Sequence, residues 1–304
     1  MLDKLFFFNH FGNGDIFESR EFIRDIMNIY PAEEYHYLTG KSKRLLLDLD
    51  YPKLIVENVF PDFLDIRTKF KEVNNDLYIN TWIGRDSKYV LPGFACTLEM
   101  LYKMYNDILN EIDGSSLSLQ PIDYLTTIDY SVFDIKLINK VVTELKKDYK
   151  TFVLISNGHV QSSQAENFDM SPLIAKLVNK YPGILFFVTS DINFDELDLA
   201  YTQNIINANT LTKDGLDSNL NELSYLSTFC KVIIGKNSGP QVFSWTKENC
   251  FSDKINITFT KNINCGHFVH HLPITMIKCW SSETDIWKLY KFVEGIFWNE
   301  QLLL

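Results

Sequence analysis

The chain has 304 residues, enough for two domains of ordinary size. Hydrophobic residues make up 46% and charged residues 22%, which predicts a packed core and excludes a disordered chain. A net charge of -10 and a pI of about 5.1 argue against a large nucleic-acid footprint, and no apolar run reaches the roughly 18 residues that cross a bilayer.

No basic stretch followed by an apolar secretory core opens the chain, so a cytoplasmic address is expected. The five cysteines, Cys96, Cys230, Cys250, Cys265 and Cys279, are scattered and never form a CxxC pair. Reduced thiols fit them better than a disulfide framework. The short basic run Lys41-Ser42-Lys43-Arg44 reads as a solvated loop.

In chain order, Leu5–Phe8 reads as a strand leading into Asn9-His10-Phe11-Gly12-Asn13-Gly14-Asp15. Ile16–Ile29 follows as a helix, with Phe17, Phe22, Ile23, Ile26 and Ile29 at helical spacing, and Pro31 ends it. Tyr35–Leu38, Leu54–Val59 and Leu77–Ile83 read as strands. A long helix is expected from Pro92 to Ile112, closed by Gly114. Gly114–Pro121 reads as a connecting loop, and Ser131–Tyr149 as a helix crossing between halves. The second half carries five buried strands: Thr151–Ser156, Ile184–Thr189, Asn204–Ala208, Val232–Ile234 and Ile255–Phe259. Ser171–Asn179 and Leu220–Phe229 read as crossover helices, and Glu283–Trp298 as an aromatic C-terminal helix.

This βαβα alternation predicts an α/β protein with two Rossmann-like domains, residues 1–149 and 150–282, facing a central cleft. Ligands of open α/β sheets sit outside the carboxyl ends of the strands. Two polar glycine turns stand there, Asn9–Asp15 and Gly235-Lys236-Asn237-Ser238-Gly239-Pro240. Each is a strand, a tight turn and a helix start, a geometry that offers free N–H groups to an anion. A phosphorylated ligand is therefore expected.

The two turns also carry a resemblance. Gly12-Asn13-Gly14-Asp15-Ile16 before a helix resembles the N-terminal turn of the heptosyltransferase-type GT-B glycosyltransferases. Ile234–Pro240 resembles their C-terminal SGP turn, which holds the donor diphosphate. The resemblance implies a transferase using a nucleotide-diphosphate sugar as co-substrate, with no other cofactor and no metal. It also implies that the C-terminal helix, residues 283–300, returns to pack on the N-terminal domain. The chain departs from the family in reading Gln241-Val242-Phe243 where a histidine follows the turn. It also has no lysine after the first strand of the second half.

Each candidate residue has a functional and a structural reading. Asp15 suits a general base that takes a proton from an acceptor hydroxyl, with His10 as its rival; equally, Asp15 suits a helix cap. Gly14, Lys236, Asn237, Ser238, Gly239 and Pro240 suit a diphosphate site, or an ordinary strand-to-helix turn. Asn157, Gly158, Ser163 and Gln164 form an amide-rich loop fit for sugar hydroxyls or for capping itself. Asp191, at a strand end, suits a ribose or base, or an N-cap. Asp48-Leu49-Asp50 has the form of a metal-binding DxD, and Cys265, His267, His270 and His271 have metal-ligand chemistry. Neither arrangement has the placement or spacing of a metal site.

The acceptor is open: a polysaccharide, a protein, a small molecule or modified DNA. Two other functions fit the same fold, a nucleotide-sugar epimerase-like enzyme and a non-catalytic nucleotide or sugar binder.

Overall fold

The computed structural model describes residues 1–49, 54–82, 97–161, 164–192, 203–212, 219–261, 275–280 and 285–299. The chain forms two compact units. The first runs from Met1 to Val132 and is joined by Trp245–Lys247; the second begins at Phe133.

The first unit is built on β1 (Leu2–Asn9), α1 (Asn13–Ile29), β2 (Ala32–Thr39), β3 (Leu54–Glu57), β4 (Phe70–Val73), β5 (Asp76–Asn80) and α2 (Thr97–Asp113). Its strands lie in the order β3-β2-β1-β5-β4. β1 pairs in parallel with β2 and β5, and β2 with β3. The β4–β5 hairpin is the antiparallel departure from the expected parallel sheet. It turns at Asn74, whose φ of 58 lies in the left-handed region that asparagine tolerates.

Helix α1 forms where the apolar spacing predicts it, and Ile16, Phe17, Phe22, Ile23 and Ile26 are buried. Phe22 is fully buried and stacks on Tyr124 at 4.3 Å and Tyr105 at 4.7 Å. Burying such a ring is worth about 1.5–3 kcal/mol. On α2, Leu98, Leu101, Met104, Tyr105 and Ile108 face the core. Gly114, with φ of +83, ends this helix and donates its N–H to Asn110 O, as a left-handed C-terminal cap does. The expected start of α2 at Pro92 lies outside the described residues.

The second unit opens with α3 (Lys136–Leu145), shorter than the helix expected over Ser131–Tyr149. It continues with β6 (Thr151–Ser156), α4 (Ser171–Lys180), β7 (Ile184–Val188), β8 (Ile205–Asn207), α5 (Leu220–Thr228) and β9 (Val232–Lys236). Then come α6 (Gly239–Val242), α7 (Lys247–Cys250), β10 (Ile255–Thr260), β11 (Thr275–Trp280) and α8 (Ile286–Asn299). Six strands in the order β11-β10-β9-β6-β7-β8 pair in parallel throughout. β11 adds a sixth strand to the five read from the sequence. Continuous apolar runs such as Ile184-Leu185-Phe186-Phe187-Val188 suit strands buried on both faces.

Leu289, Tyr290, Val293, Ile296 and Phe297 of α8 belong to the second unit's own core, with Ile174, Leu177 and Val178 of α4. Lys180 at the end of α4 pairs with Glu294 of α8 at 2.6 Å. An apolar stripe at helical spacing demands a partner surface, and here α4 and its sheet provide it.

Candidate functional site

In the second sheet, the chain runs outward from β6 through β7 to β8, then returns to the other side of β6 with β9. That reversal is the switch point of an open parallel sheet, where the carboxyl ends of adjacent strands leave a crevice. The loops after β6 and β9 border it.

Lys236 ends β9 and is only 3% exposed. Its ammonium donates to Phe168 O at 3.3 Å and lies 5.6 Å from the centre of the Phe168 ring. Among the described residues no carboxylate stands within ion-pair distance of it. Burial lowers its pKa, and the charge of Asp169 pushes the other way. A buried ammonium with one long hydrogen bond and no counter-charge is costly, and it calls for an anion.

The turn that follows is rigidly placed. The Asn237 N–H donates to Phe259 O at 2.7 Å, and its Nδ2 donates to Thr260 Oγ1 at 3.2 Å. Ser238 is extended, with φ -157 and ψ 167, and stands as the N-cap of α6. Its carbonyl accepts from the Val242 N–H at 3.1 Å. Gly239 opens the helix, and Pro240 follows within its first turn, where a missing N–H goes unnoticed.

Gly235, which opens the glycine turn expected from the sequence, is closely packed. A Cβ on Gly235 would stand 2.0 Å from Gln241 Oε1 and 2.9 Å from Ser156 Cβ. Gln241 is fully buried and lies across β9 at this point. A glycine ending a central strand, followed by a helix start, was the available signal.

The amide-rich loop divides by role. Asn157 Oδ1 accepts the N–H groups of Thr189 at 3.0 Å and Ser190 at 2.9 Å, while its Nδ2 donates to Ser190 O at 3.2 Å. Its carboxamide thus ties the end of β6 to the end of β7. Gly158 passes close to that loop, and a Cβ there would stand 3.1 Å from Ser190 Oγ. The Gln164 carbonyl accepts from the Lys261 N–H at 2.9 Å and from Thr260 Oγ1 at 3.3 Å, strapping the loop to β10. Ser163 lies outside the described residues. Lys261 pairs with Glu166 at 3.0 Å, with both side chains more than a third exposed, so the pair adds little.

Asp191 receives a hydrogen bond from Asn207 Nδ2 at 2.6 Å. Asn209 extends this polar network, donating to Thr189 O at 2.7 Å and accepting from Asn219 Nδ2 at 2.8 Å. Asn207 and Asn209 stand in a strand-end loop, as the strand order expected from the sequence places them, and the structure supplies their partners.

In the first unit, β1 and β5 are neighbours, and the glycine turn leaves the carboxyl end of β1. Asn9 is buried and shapes the turn: its Oδ1 accepts the Phe11 N–H at 2.7 Å and its Nδ2 donates to Thr81 Oγ1 at 3.2 Å. Asp15 is half-buried in the first turn of α1, where Oδ2 accepts the Gly12 N–H at 2.7 Å. This is a helix-start bond, and it fixes the carboxylate's position. Gly14 lies beside it in the same turn. His10 stacks on Phe60 at 4.3 Å; burial lowers its pKa, opposed by the charge of Asp65. Its Nε2 is buried with no hydrogen-bond partner among the described residues.

The DxD run has another use. Asp48 is buried and bonds to Arg20 Nη1, and its second oxygen lies 3.3 Å from Arg24 Nη2. Its carboxylate therefore serves two arginines. Asp50, Cys265, His267, His270 and His271 lie outside the described residues.

No protein-family model matches the sequence, and no curated protein sequence does. Among solved structures, the chain is similar to E. coli ADP-heptose LPS heptosyltransferase II, at 12% identity and a TM-score of 0.49, covering 98% of this chain and 99% of that one. It is similar to E. coli heptosyltransferase WaaC with ADP-2-deoxy-2-fluoro heptose, at 10% identity and a TM-score of 0.48, covering 96% and 99%. It is also similar to the family 9 glycosyl transferase of Veillonella parvula, at 9% identity and a TM-score of 0.48, covering 96% and 89%.

Proposed function

We propose that this chain is a glycosyltransferase that moves a sugar from a nucleotide-diphosphate sugar to an acceptor hydroxyl, with inversion and without a metal ion. One observation carries the reading: the buried ammonium of Lys236, without a described counter-charge, at the switch point of the second sheet. A diphosphate supplies the missing negative charge.

In this reading Lys236 neutralises the leaving group, and the N–H groups of Ser238 and Gly239 complete the contact. Asn157 and Asn237 hold the loops in place, Gly235 and Gly158 permit their close approach, and Asp191 meets the ribose or the base. In the first unit, Asp15 takes the proton of the acceptor hydroxyl. The hydroxyl oxygen attacks the anomeric carbon, and the bond from that carbon to the diphosphate oxygen breaks. The electron pair leaves with the nucleoside diphosphate, and the proton goes to the Asp15 carboxylate. His10 is the alternative acceptor of that proton.

The bond from the Gly12 N–H to Asp15 supports a second reading, a nucleotide-sugar binder in which Asp15 only starts α1. A thermal-shift screen against nucleotide-diphosphate sugars tests the part the two readings share. A ligand that binds only the folded state raises the melting temperature by mass action. The expected result is a rise with one nucleotide family that persists in EDTA and is lost in Ser238→Trp. No rise with any member overturns both readings.

A further inference from the structure

The flank of the first sheet holds a groove that the transfer reading leaves unused. β3 is the edge strand of that sheet, and the short 3-10 turn Lys43–Leu46 packs beside it. Lys43, Leu46, Leu47, Leu49, Leu54 and Ile55 line a cavity of about 450 Å³. That volume falls within the range of small-molecule sites, about 300–1,000 Å³. Leu47 is 49% exposed and Ile55 38%, so part of the apolar wall meets water.

The lip of the groove is cationic. Lys43, which lines the groove, is exposed, and Lys41 stands two residues before it, half-buried; neither has a carboxylate partner among the described residues. The loop that carries them is held by its own hydroxyls: Thr39 Oγ1 accepts the Lys41 N–H at 3.2 Å, and Ser42 Oγ accepts the Arg44 N–H at 3.3 Å. On a chain of net charge -10, a lysine lining an aliphatic groove runs against the overall sign.

The place matters as much as the lining. Leu54 and Ile55 pair with Tyr35 and His36, which pair in turn with Leu5 and Phe6 in the middle of β1. The groove therefore follows the edge strand of the sheet.

We propose that this groove binds the hydrocarbon chain of a single-chain anionic amphiphile, an alkyl phosphate or a fatty acid, with Lys43 at the head group. A neutral chain gains only apolar burial there, and a bare anion meets only solvated lysines. The two together select an amphiphile. The proposal stands independently of the transferase reading.

Calorimetric titration of the full chain with dodecyl phosphate, below its critical micelle concentration, tests it. Inorganic phosphate and dodecyl maltoside serve as controls. Saturable one-to-one binding of dodecyl phosphate is expected, with no binding of inorganic phosphate. Lys43→Glu should weaken it by about fivefold or more, the equivalent of about 1 kcal/mol. Leu47→Asp should abolish it, and because Leu47 is exposed this change leaves the fold intact, as a matching melting curve will confirm. The proposal is overturned by equal binding in Leu47→Asp, by equal affinity for dodecyl maltoside, or by no binding. Binding seen only to phosphatidylglycerol vesicles overturns it as well.

Discussion

Replacing Lys236 by methionine separates the cost of the buried charge from its use. The side chain keeps its length and loses its ammonium. In the free protein Lys236 is 3% exposed, and among the described residues its ammonium holds one hydrogen bond, of 3.3 Å. Replacing buried charged groups by apolar side chains of similar volume is often neutral or stabilising, by about 1–4 kcal/mol. With so little compensation here, a gain of about 1–2 kcal/mol is expected for Lys236→Met without ligand. Because burial lowers the Lys236 pKa, the unfolded chain binds more protons than the folded one as pH rises from the lowered value toward 10.5. The wild type's own stability therefore improves across that window relative to Lys236→Met, which narrows the gap. Binding should change the other way. Removing one partner of a buried charge pair costs about 2–5 kcal/mol, so affinity for a nucleoside diphosphate should fall roughly 30-fold or more. Urea unfolding at pH 7 and pH 9.5, with calorimetric titration of the nucleoside diphosphate, measures both. A destabilised variant with unchanged affinity would refute the argument, because Lys236 would then be a structural residue.

Four further outcomes follow from named contacts. Gly235→Ala should cost about 1–3 kcal/mol by overpacking against Gln241 and Ser156, and should weaken nucleotide binding by displacing Gln241; urea unfolding and titration check both. Asp15→Asn keeps an oxygen for the Gly12 N–H, so its stability and donor binding should match the wild type while turnover falls about 10²- to 10⁴-fold. Asp48→Ala leaves Arg20 buried without its partner and should cost about 3–5 kcal/mol in urea unfolding, whereas EDTA should leave the wild type's stability unchanged. Burial pushes the thiols of Cys230 and Cys250 up to about 12, so at pH 8 iodoacetamide should leave both unmodified in the folded protein and label both in urea, as site-resolved mass spectrometry will read.

Most of the architecture is legible where apolar periodicity is strong. β1, β6, β7 and β9 each carry a continuous apolar run, β10 alternates Ile255, Ile257 and Phe259 with polar residues, and α1 and α2 repeat their apolar residues at helical spacing. β4 is not legible: Phe70-Lys71-Glu72-Val73 carries two charges in four residues, and it becomes a strand only by pairing with β5 through the Asn74 turn. β11 carries Lys278 in its middle and lacks a continuous apolar run. The stripe on α8 announced a packed helix but could not name α4 as a surface that it covers.

The site divides in the same way. The turn Gly235–Pro240 stands out by composition. The burial of Lys236 does not, because it depends on Phe168 in a loop 68 residues away in sequence. Asn157 reads as a ligand-binding amide until its bonds to Thr189 and Ser190, 32 and 33 residues on, are seen. Asp48 sits in a run of metal-binding form that the sequence gives no placement for, and its pairing with Arg20 and Arg24 of α1 is visible only in the fold.

Sugar transfer itself is tested most directly by following a bound nucleotide-diphosphate sugar by proton NMR, with water or an added acceptor and with EDTA present. The account predicts release of the nucleoside diphosphate and a sugar product of inverted anomeric configuration. It also predicts that Asp15→Asn and Lys236→Met each suppress both. A donor that binds and is never turned over, or one that is turned over equally by both variants, would contradict it.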